Sequence, residues 1–293
     1  MIRRENPVRR TPSARWNAST QGYIGALTSG RRRLRFVFLP ILVAVLLILW
    51  DGMAGANERV VQVAAAADLK FALDEILESF HRQHQDIKAQ VTYGSSGNFF
   101  AQLTNRAPFD VFFSADVDYP RKLVEQGLAL KETEFLYAVG RLVVWVPRQS
   151  SVDLERLGIQ ALLDPSVRKI AIANPKHAPY GRAAEAAMRK LGVYEQVQER
   201  FVYGENIAQT AQFIQTGAAD IGIIALALAL APALREEGRY WGIPLDAYPR
   251  LDQGGVVLAW AKDMAAAQAL RAFVLGPEGK AVLRRYGFFL PGE

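Results

Sequence analysis

Four short segments of the sequence place small residues where a helix is predicted to begin after a strand. They are 67–68, 94–98, 179–181 and 204–207. The first turn of a helix has backbone N–H groups without intrahelical partners, and the helix dipole adds partial positive charge there. Several helix starts directed at one point form an anion site without lysine or arginine. These segments therefore favour the binding of an anion.

The segment 94–98 offers the most groups suited to this chemistry. Ser95 and Ser96 supply hydroxyl donors, and Gly94 and Gly97 allow the backbone to come close to a ligand. Taken alone, each of the four segments is more simply explained by helix capping, because Ser, Asp and Asn are preferred N-cap residues. The anion-binding interpretation depends on the four segments acting together.

The residue types exclude several other kinds of chemistry. The sequence has no cysteine, which excludes disulfides, thiolate metal sites and cysteine nucleophiles, and its three histidines are few for a metal centre. It contains no Walker motif, no G-x-G-x-x-G and no G-x-S-x-G nucleophile elbow. Ser96 and His177 stay as the candidate nucleophile and base of a secreted α/β hydrolase, which is one alternative function.

The candidate segments are positioned by short β-branched runs that alternate with amphipathic stretches. Strands are predicted at 60–66, 89–93, 110–114, 142–146, 169–173, 200–203, 220–224 and 255–260. Helices are predicted at 69–80, from 98, at 119–126, 182–191, 207–215 and 226–237, and twice more at the end of the chain. This alternation predicts an α/β fold with largely parallel sheets, in which ligands bind at the carboxyl ends of strands.

The first 56 residues have the composition of an export leader. Four arginines between 31 and 35 precede fifteen apolar residues, 36–50, and Ala54-Gly55-Ala56 matches a small-residue cleavage site. A spanning helix needs about 20 apolar residues, so a cleaved signal peptide over 1–56 is predicted, with an uncleaved anchor as the alternative.

The basic residues are concentrated in this leader. It holds nine of the 35 basic and two of the 29 acidic residues, which leaves 26 basic and 27 acidic residues in 57–293. Since a phosphate-backbone partner needs a basic face, no nucleic-acid partner is expected.

Five segments resemble the periplasmic molybdate-binding proteins of ABC importers. They are 63–69 (VAAAADL), 93–98 (YGSSGN), 109–116 (FDVFFSAD), 172–181 (IANPKHAPYG) and 285–288 (RYGF). The resemblance extends in order over 59–290. It implies a type II periplasmic binding protein fold, which is a two-lobed α/β fold with a hinge and an interlobe ligand cleft.

The resemblance also implies a division into lobes and a set of site residues. Lobe I would be 57–138 plus 250–293 and lobe II 139–249, with crossovers near 137–141 and 247–253. The residues implied to hold the oxyanion are Asp68, Ser96, Tyr180 and Ile207, and those in supporting loops are Ser95, Gly97, Gly181 and Asn206. They would contact the oxygens of molybdate, so no residue is expected to ligate a metal ion directly and none is expected to be catalytic.

The sequence departs from the family pattern at two positions. Ala225 stands where many relatives have tyrosine, and the hydroxyl of Tyr180 is expected to replace that donor. Asp68 stands where many relatives have serine or asparagine. A carboxylate facing a dianion is repulsive, so Asp68 is expected to turn inward as the N-cap of the helix from Leu69, accepting from Lys70 or Phe71. The alternative is that Asp68 accepts a proton from a monohydrogen oxyanion.

The function that the resemblance implies is transport without catalysis. A monomer in the periplasm would bind molybdate, with tungstate as a second ligand, and deliver it to the membrane permease of an ABC importer. No cofactor is expected. A binding protein of the same fold for sulfate, phosphate or a small carboxylate is the alternative within the fold.

Overall fold

Two five-stranded sheets organise the part of the chain that the computed structural model describes, residues 59–293. The predicted export leader lies outside the described residues. The strands are β1 (Arg59–Ala66), β2 (Ile87–Gly94), β3 (Val111–Ser114), β4 (Phe135–Gly140), β5 (Leu142–Pro147), β6 (Ile170–Ala173), β7 (Phe201–Gly204), β8 (Ile221–Ala225), β9 (Gly238–Gly242) and β10 (Leu251–Val257). The first sheet has the order β2-β1-β3-β10-β4, and the second has the order β7-β6-β8-β5-β9.

Helices cover both sheets. They are α1 (Lys70–Gln83), α2 (Ser96–Thr104), α3 (Asp118–Glu125), α4 (Leu154–Leu157), α5 (Pro179–Lys190), α6 (Tyr194–Val197), α7 (Ile207–Gln215), α8 (Leu226–Ala229), α9 (Pro232–Arg235), α10 (Met264–Leu275) and α11 (Pro277–Arg285). A single 3₁₀ turn, Ala67–Leu69, joins β1 to α1.

Each sheet with its helices forms one lobe, and the chain passes between the lobes twice. It leaves the first sheet after β4 and enters the second at β5, with Arg141 between them, and it returns between β9 and β10. The exact residues at which each lobe begins and ends remain a prediction.

The expectation of largely parallel sheets was wrong for half of the strand pairings. In each lobe three strands pair in parallel, but β10 runs antiparallel to β3 and β4, and β5 runs antiparallel to β8 and β9. β5 and β10 are the strands that arrive from the other lobe. They join their new sheet without a βαβ crossover, so nothing requires them to run parallel to it.

Two further expectations about the elements were also wrong. The helix predicted over 226–237 is two short helices, because Pro232 has no N–H and disfavours helical geometry in the residue before it. β4 and β9 were not predicted. β9 has no fully buried residue, and two of its five residues are glycines, which are depleted in strands, so its sequence carries no clear strand pattern.

Most buried apolar side chains of the two lobes fall into different clusters. In the first lobe, α1 packs Leu73, Ile76 and Phe80 onto the inner strands β1 and β3. In the second, β5, β6 and β8 supply a run of fully buried aliphatic side chains that α5 and α7 cover. Within 59–293, no helix combines the length and the apolar character needed to cross a membrane.

Candidate functional site

The four segments singled out in the sequence converge on one small cavity between the lobes. The cavity has a volume of about 10 Å³, room for about one water molecule. Its walls come from both lobes and carry no lysine or arginine. The lining residues are Ala66, Ala67, Asp68, Gly94, Ser95, Ser96, Ala115, Ala178, Pro179, Tyr180 and Ile207.

Three backbone N–H groups around this cavity have no hydrogen-bond partner among the described residues. They belong to Ser96, Tyr180 and Ile207, each in the first turn of its helix, namely α2, α5 and α7. A first-turn N–H has no carbonyl four residues earlier in the helix to bind. Since the three residues are buried, water does not readily replace that partner. The helix starts therefore leave three N–H groups beside the cavity without an acceptor among the described residues.

Two serine hydroxyls add donors at the same place. Ser96 Oγ accepts a hydrogen bond from the Ala115 N–H at 2.9 Å, which leaves its own proton free for another acceptor. Ser95 is the N-cap residue of α2, but its side chain makes no cap bond. Its Oγ is buried without a partner among the described residues. For 94–98, the capping explanation thus does not account for the two hydroxyls.

Asp68 does not cap the following helix, and that expectation was wrong. Its carboxylate turns across the cleft, where Oδ2 accepts from the Tyr180 hydroxyl at 2.9 Å and from Gln253 Nε2 at 2.6 Å. Neither Ala67–Leu69 nor α1 has a side-chain cap bond. The chain enters α1 through a 3₁₀ turn that already contains Asp68, so Asp68 lies inside the helical turn and not before it.

Burial dominates the ionisation of this network. It raises the pKa of Asp68 to about 6, against the opposing effect of the hydrogen bonds from Gln253 and Tyr180. Burial also raises the pKa of Tyr180 well above its usual value, and the neighbouring Asp68 carboxylate adds to this. Tyr180 is therefore a neutral donor, and its hydroxyl is committed to Asp68. It does not replace the donor that Ala225 lacks.

Gln253 is the residue of this network that the sequence did not reveal. It is fully buried on β10, and its Nε2 also donates to the Tyr180 hydroxyl at 3.0 Å. The pairing of β10 with β4 shifts between Gln253 and Gly254, which is a bulge. Bulges redirect side chains beside functional sites. The only sequence signal was a glutamine before two glycines, in a segment expected to be a crossover.

The supporting residues have identifiable roles in the packing. Asn206 caps α7 by accepting from the Ala208 and Gln209 N–H groups, both at 3.0 Å. A Cβ on Gly181 would lie 2.1 Å from the Ala173 carbonyl oxygen, so only glycine lets α5 approach β6 this closely.

Gly97 lies at a contact between the lobes. Its N–H donates to the His177 carbonyl at 2.9 Å, and a Cβ there would lie 2.6 Å from the same oxygen. Other side-chain contacts also bridge the cleft, besides those of Tyr180 with Asp68 and Gln253. Arg182 binds Asp116 at 2.6 Å, and Asn98 donates to Glu205. These contacts describe a closed cleft.

The pair needed by the hydrolase alternative is not assembled. His177 Nε2 lies 3.1 Å from the Glu205 carbonyl oxygen, and no hydrogen bond joins His177 to Ser96 within residues 59–293. The same residues contain no group of three or more His, Asp or Glu side chains that could hold a metal ion.

A model of the bacterial extracellular solute-binding protein family matches residues 61–289. The chain belongs to this family. Among its relatives, the molybdate-binding protein ModA of Azotobacter vinelandii is 37% identical over 235 residues, 80% of this chain and 92% of the relative. That of Rhodobacter capsulatus is 41% identical over 200 residues, 68% and 77% of the two chains.

Solved structures confirm the two-lobed periplasmic binding protein fold of this solute-binding protein. The Azotobacter vinelandii periplasmic molybdate-binding protein aligns with a TM-score of 0.74 at 33% identity, covering 79% of this chain and 99% of that one. The sulfate-binding protein SubI of Mycobacterium tuberculosis aligns with a TM-score of 0.63 at 15% identity, covering 80% and 88%. At that identity the likeness shows the fold alone. The family resemblance stated from the sequence is confirmed.

Proposed function

We propose that this solute-binding protein binds molybdate, with tungstate as a second ligand, in the cavity between its lobes. The observation that carries the proposal is the set of unpartnered donors at the cavity. Three helix-start N–H groups and two serine hydroxyls are buried there without acceptors among the described residues. A fully ionised oxyanion has only acceptor oxygens, and hydrogen bonds to an ionised partner are the stronger kind. Such a ligand therefore satisfies the buried donors.

The donors come from both lobes, which links binding to closure. Ser95 and Ser96 belong to the first lobe, and Tyr180 and Ile207 belong to the second. An oxyanion held by both sides favours closure of the hinge, because only closure brings all donors within reach. The cavity seen here has room for about one water molecule, so closure on a tetrahedral oxyanion would stop at a wider cavity than this one. The closed form is then the form that a membrane partner would recognise as loaded.

The transport role is supported by the relatives. Proteins named molybdate-binding share 37% and 41% identity with this chain, and the family is extracellular. We infer a periplasmic, non-enzymatic monomer without a cofactor that delivers the oxyanion to the permease of an ABC importer. The predicted signal peptide over 1–56 accounts for export.

Titration calorimetry with four oxyanions tests the proposal. Purified protein expressed from the full chain is titrated in turn with molybdate, tungstate, sulfate and phosphate. Molybdate and tungstate are expected to bind with similar affinity, and sulfate and phosphate about tenfold or more weakly, a difference of about 1.4 kcal/mol or more. Stronger binding of sulfate or phosphate than of molybdate would contradict the assignment and favour the alternative ligand class within the fold.

A further inference from the structure

Asp68 is the one acidic side chain in a cavity otherwise lined by donors and apolar groups. Its two oxygens differ. Oδ2 accepts from Tyr180 and Gln253, whereas Oδ1 is buried and makes no hydrogen bond among the described residues. The backbone N–H groups of Asp68 and Leu69 also lower the pKa of this carboxylate, but their effect is smaller than that of burial. Asp68 is 1% exposed and belongs to the lining of the cavity. A buried carboxylate oxygen without a donor is costly, so Oδ1 requires an explanation.

A dianion bound in this cavity would add electrostatic repulsion to the cost of burying Oδ1 without a donor. Two negative groups in a poorly hydrated site repel each other strongly. The ionisable groups that face Asp68 are Tyr180 from α5 and Tyr137 from β4, with Tyr248 behind Tyr180. Burial raises the pKa of all three, so they are neutral and supply no positive charge.

The nearest cation along the chain does not neutralise the Asp68 carboxylate either. Lys70 lies two residues after Asp68, but its Nζ is paired with Asp74 at 3.3 Å, and it is not part of the cavity lining. With no cation in the lining, one remaining way to remove the repulsion is to add a proton.

We propose that binding of the oxyanion takes up one proton from solvent, which then lies between Oδ1 of Asp68 and an oxyanion oxygen. This inference rests on the proposed function of the cavity. The proton converts the repulsive pair of oxygens into a donor and an acceptor, and no other bond forms or breaks. Asp68 thereby joins the donors of the site, and the carboxyl group acts as a hydrogen-bond donor to a charged oxygen.

The geometry explains why the proton resides on one particular oxygen. Oδ2 already accepts two hydrogen bonds, which would be lost or weakened if that oxygen carried a proton. Oδ1 has no hydrogen-bond partner among the described residues, and Asp68 lines the cavity. Gln253 and Tyr180 are therefore positioning residues, since they hold Oδ2 and leave Oδ1 as the oxygen available to the ligand. Burial raises the pKa of Asp68 to about 6.

The sign of the pH dependence follows from proton linkage. Above the pKa of free Asp68, binding must protonate the carboxylate, so the affinity for molybdate falls about tenfold for each unit of rising pH. Below that pKa the carboxyl group is already protonated, and the affinity becomes independent of pH. Asp68→Asn supplies a permanent amide donor, so its affinity does not vary with pH over the same range.

Calorimetry at about pH 8 measures this proton directly. The full chain is titrated with molybdate in two buffers of different ionisation enthalpy, and the difference in heat gives the number of protons taken up. The wild type is expected to take up about one proton per molybdate, and Asp68→Asn to bind molybdate with no uptake. Asp246→Asn, an exposed aspartate outside the cavity, is the matched control and keeps the uptake.

His177→Gln tests the histidine at the cleft. Its backbone oxygen still binds Gly97, but its imidazole is removed, so uptake that persists in this variant cannot come from His177. Molybdate binding without proton uptake in the wild type would overturn the inference, as would uptake that persists in Asp68→Asn or disappears in His177→Gln. A wild type that binds no oxyanion at any pH would overturn the proposed function itself, which is a distinct result.

Discussion

Two cavities between the lobes offer contrasting environments for an anion. The first is the small donor-lined cavity at Ser96, Tyr180 and Ile207. The second, which we name the arginine groove, has a volume of about 460 Å³ and is lined by Arg121, Arg182 and Arg250 among other residues. By size and by its arginines alone, the arginine groove would be the natural place for a dianion, although Asp116, Asp118 and Asp252 also line it.

The partners of the polar groups reverse that expectation. Each arginine of the groove is already paired with a carboxylate: Arg182 with Asp116, Arg121 with Asp118 and Glu134, and Arg250 with Asp252. These side chains are about half exposed, so water and salt compete with any further anion. The donors of the small cavity are buried and unpartnered. Buried donors without acceptors among the described residues, and not positive charges, thus distinguish the proposed anion site.

The largest expected effect comes from blocking closure. Gly97→Ala places a Cβ where it would lie 2.6 Å from the His177 carbonyl oxygen, so the two lobes cannot meet as they do here. Molybdate affinity is expected to fall about 100-fold or more, about 2.7 kcal/mol, with little change in thermal stability, because each lobe keeps its own core. Titration calorimetry and thermal unfolding measure the two quantities.

Gly242→Ala is the matched control for this substitution. A Cβ at Gly242 meets no atom within 4 Å, so neither affinity nor closure should change. If Gly97→Ala bound molybdate as tightly as Gly242→Ala does, donors from both lobes would not be needed together.

Ser96→Ala removes one donor from the small cavity. Loss of a hydrogen bond to a charged oxygen costs about 1.5–3 kcal/mol, so the affinity for molybdate should fall roughly 10-fold to 150-fold. Ser151→Ala, at an exposed position outside the cavity, should leave the affinity unchanged. Equal affinities for the two variants would remove the Ser96 hydroxyl from the site.

Part of this site could be predicted from the sequence because its donors are local. A strand end followed by a helix start is visible in the sequence pattern, and free N–H groups follow from it. The partners of Asp68 were not visible. Tyr180 is 112 residues away and Gln253 is 185 residues away, and the bulge at Gln253 depends on its pairing with β4. An N-cap was therefore the local expectation for Asp68, and long-range contacts displaced it.

Asp68 also links folding stability to pH. Its folded pKa of about 6 lies above the usual value, so the stabilisation that it confers is complete when the carboxyl group is protonated. This stabilisation is lost as the pH rises through about 6. At neutral pH, Asp68→Asn should be more stable than the wild type by about 2 kcal/mol, and the difference should shrink towards about pH 4.

Denaturant unfolding at several pH values measures that difference, with Asp246→Asn as the control. An advantage of Asp68→Asn that is the same at about pH 4 and at about pH 7 would show that burial of the charge is not its cause.

The smallest effect is expected in the arginine groove. Arg182→Gln breaks an exposed ion pair with Asp116, and such pairs contribute about 0.2–1 kcal/mol. The affinity for molybdate should therefore change by less than about fivefold. Arg189→Gln on the same helix, whose partner is Glu195, is the matched control. A loss as large as that of Ser96→Ala would place the anion in the groove.

A crystal structure of the protein with tungstate would test the central claim most directly, because the anomalous signal of tungsten locates the ligand without reference to the protein. The account predicts one peak in the donor-lined cavity, with oxyanion oxygens within hydrogen-bond distance of the N–H groups of Ser96, Tyr180 and Ile207. A peak in the arginine groove, with the small cavity empty, would contradict it.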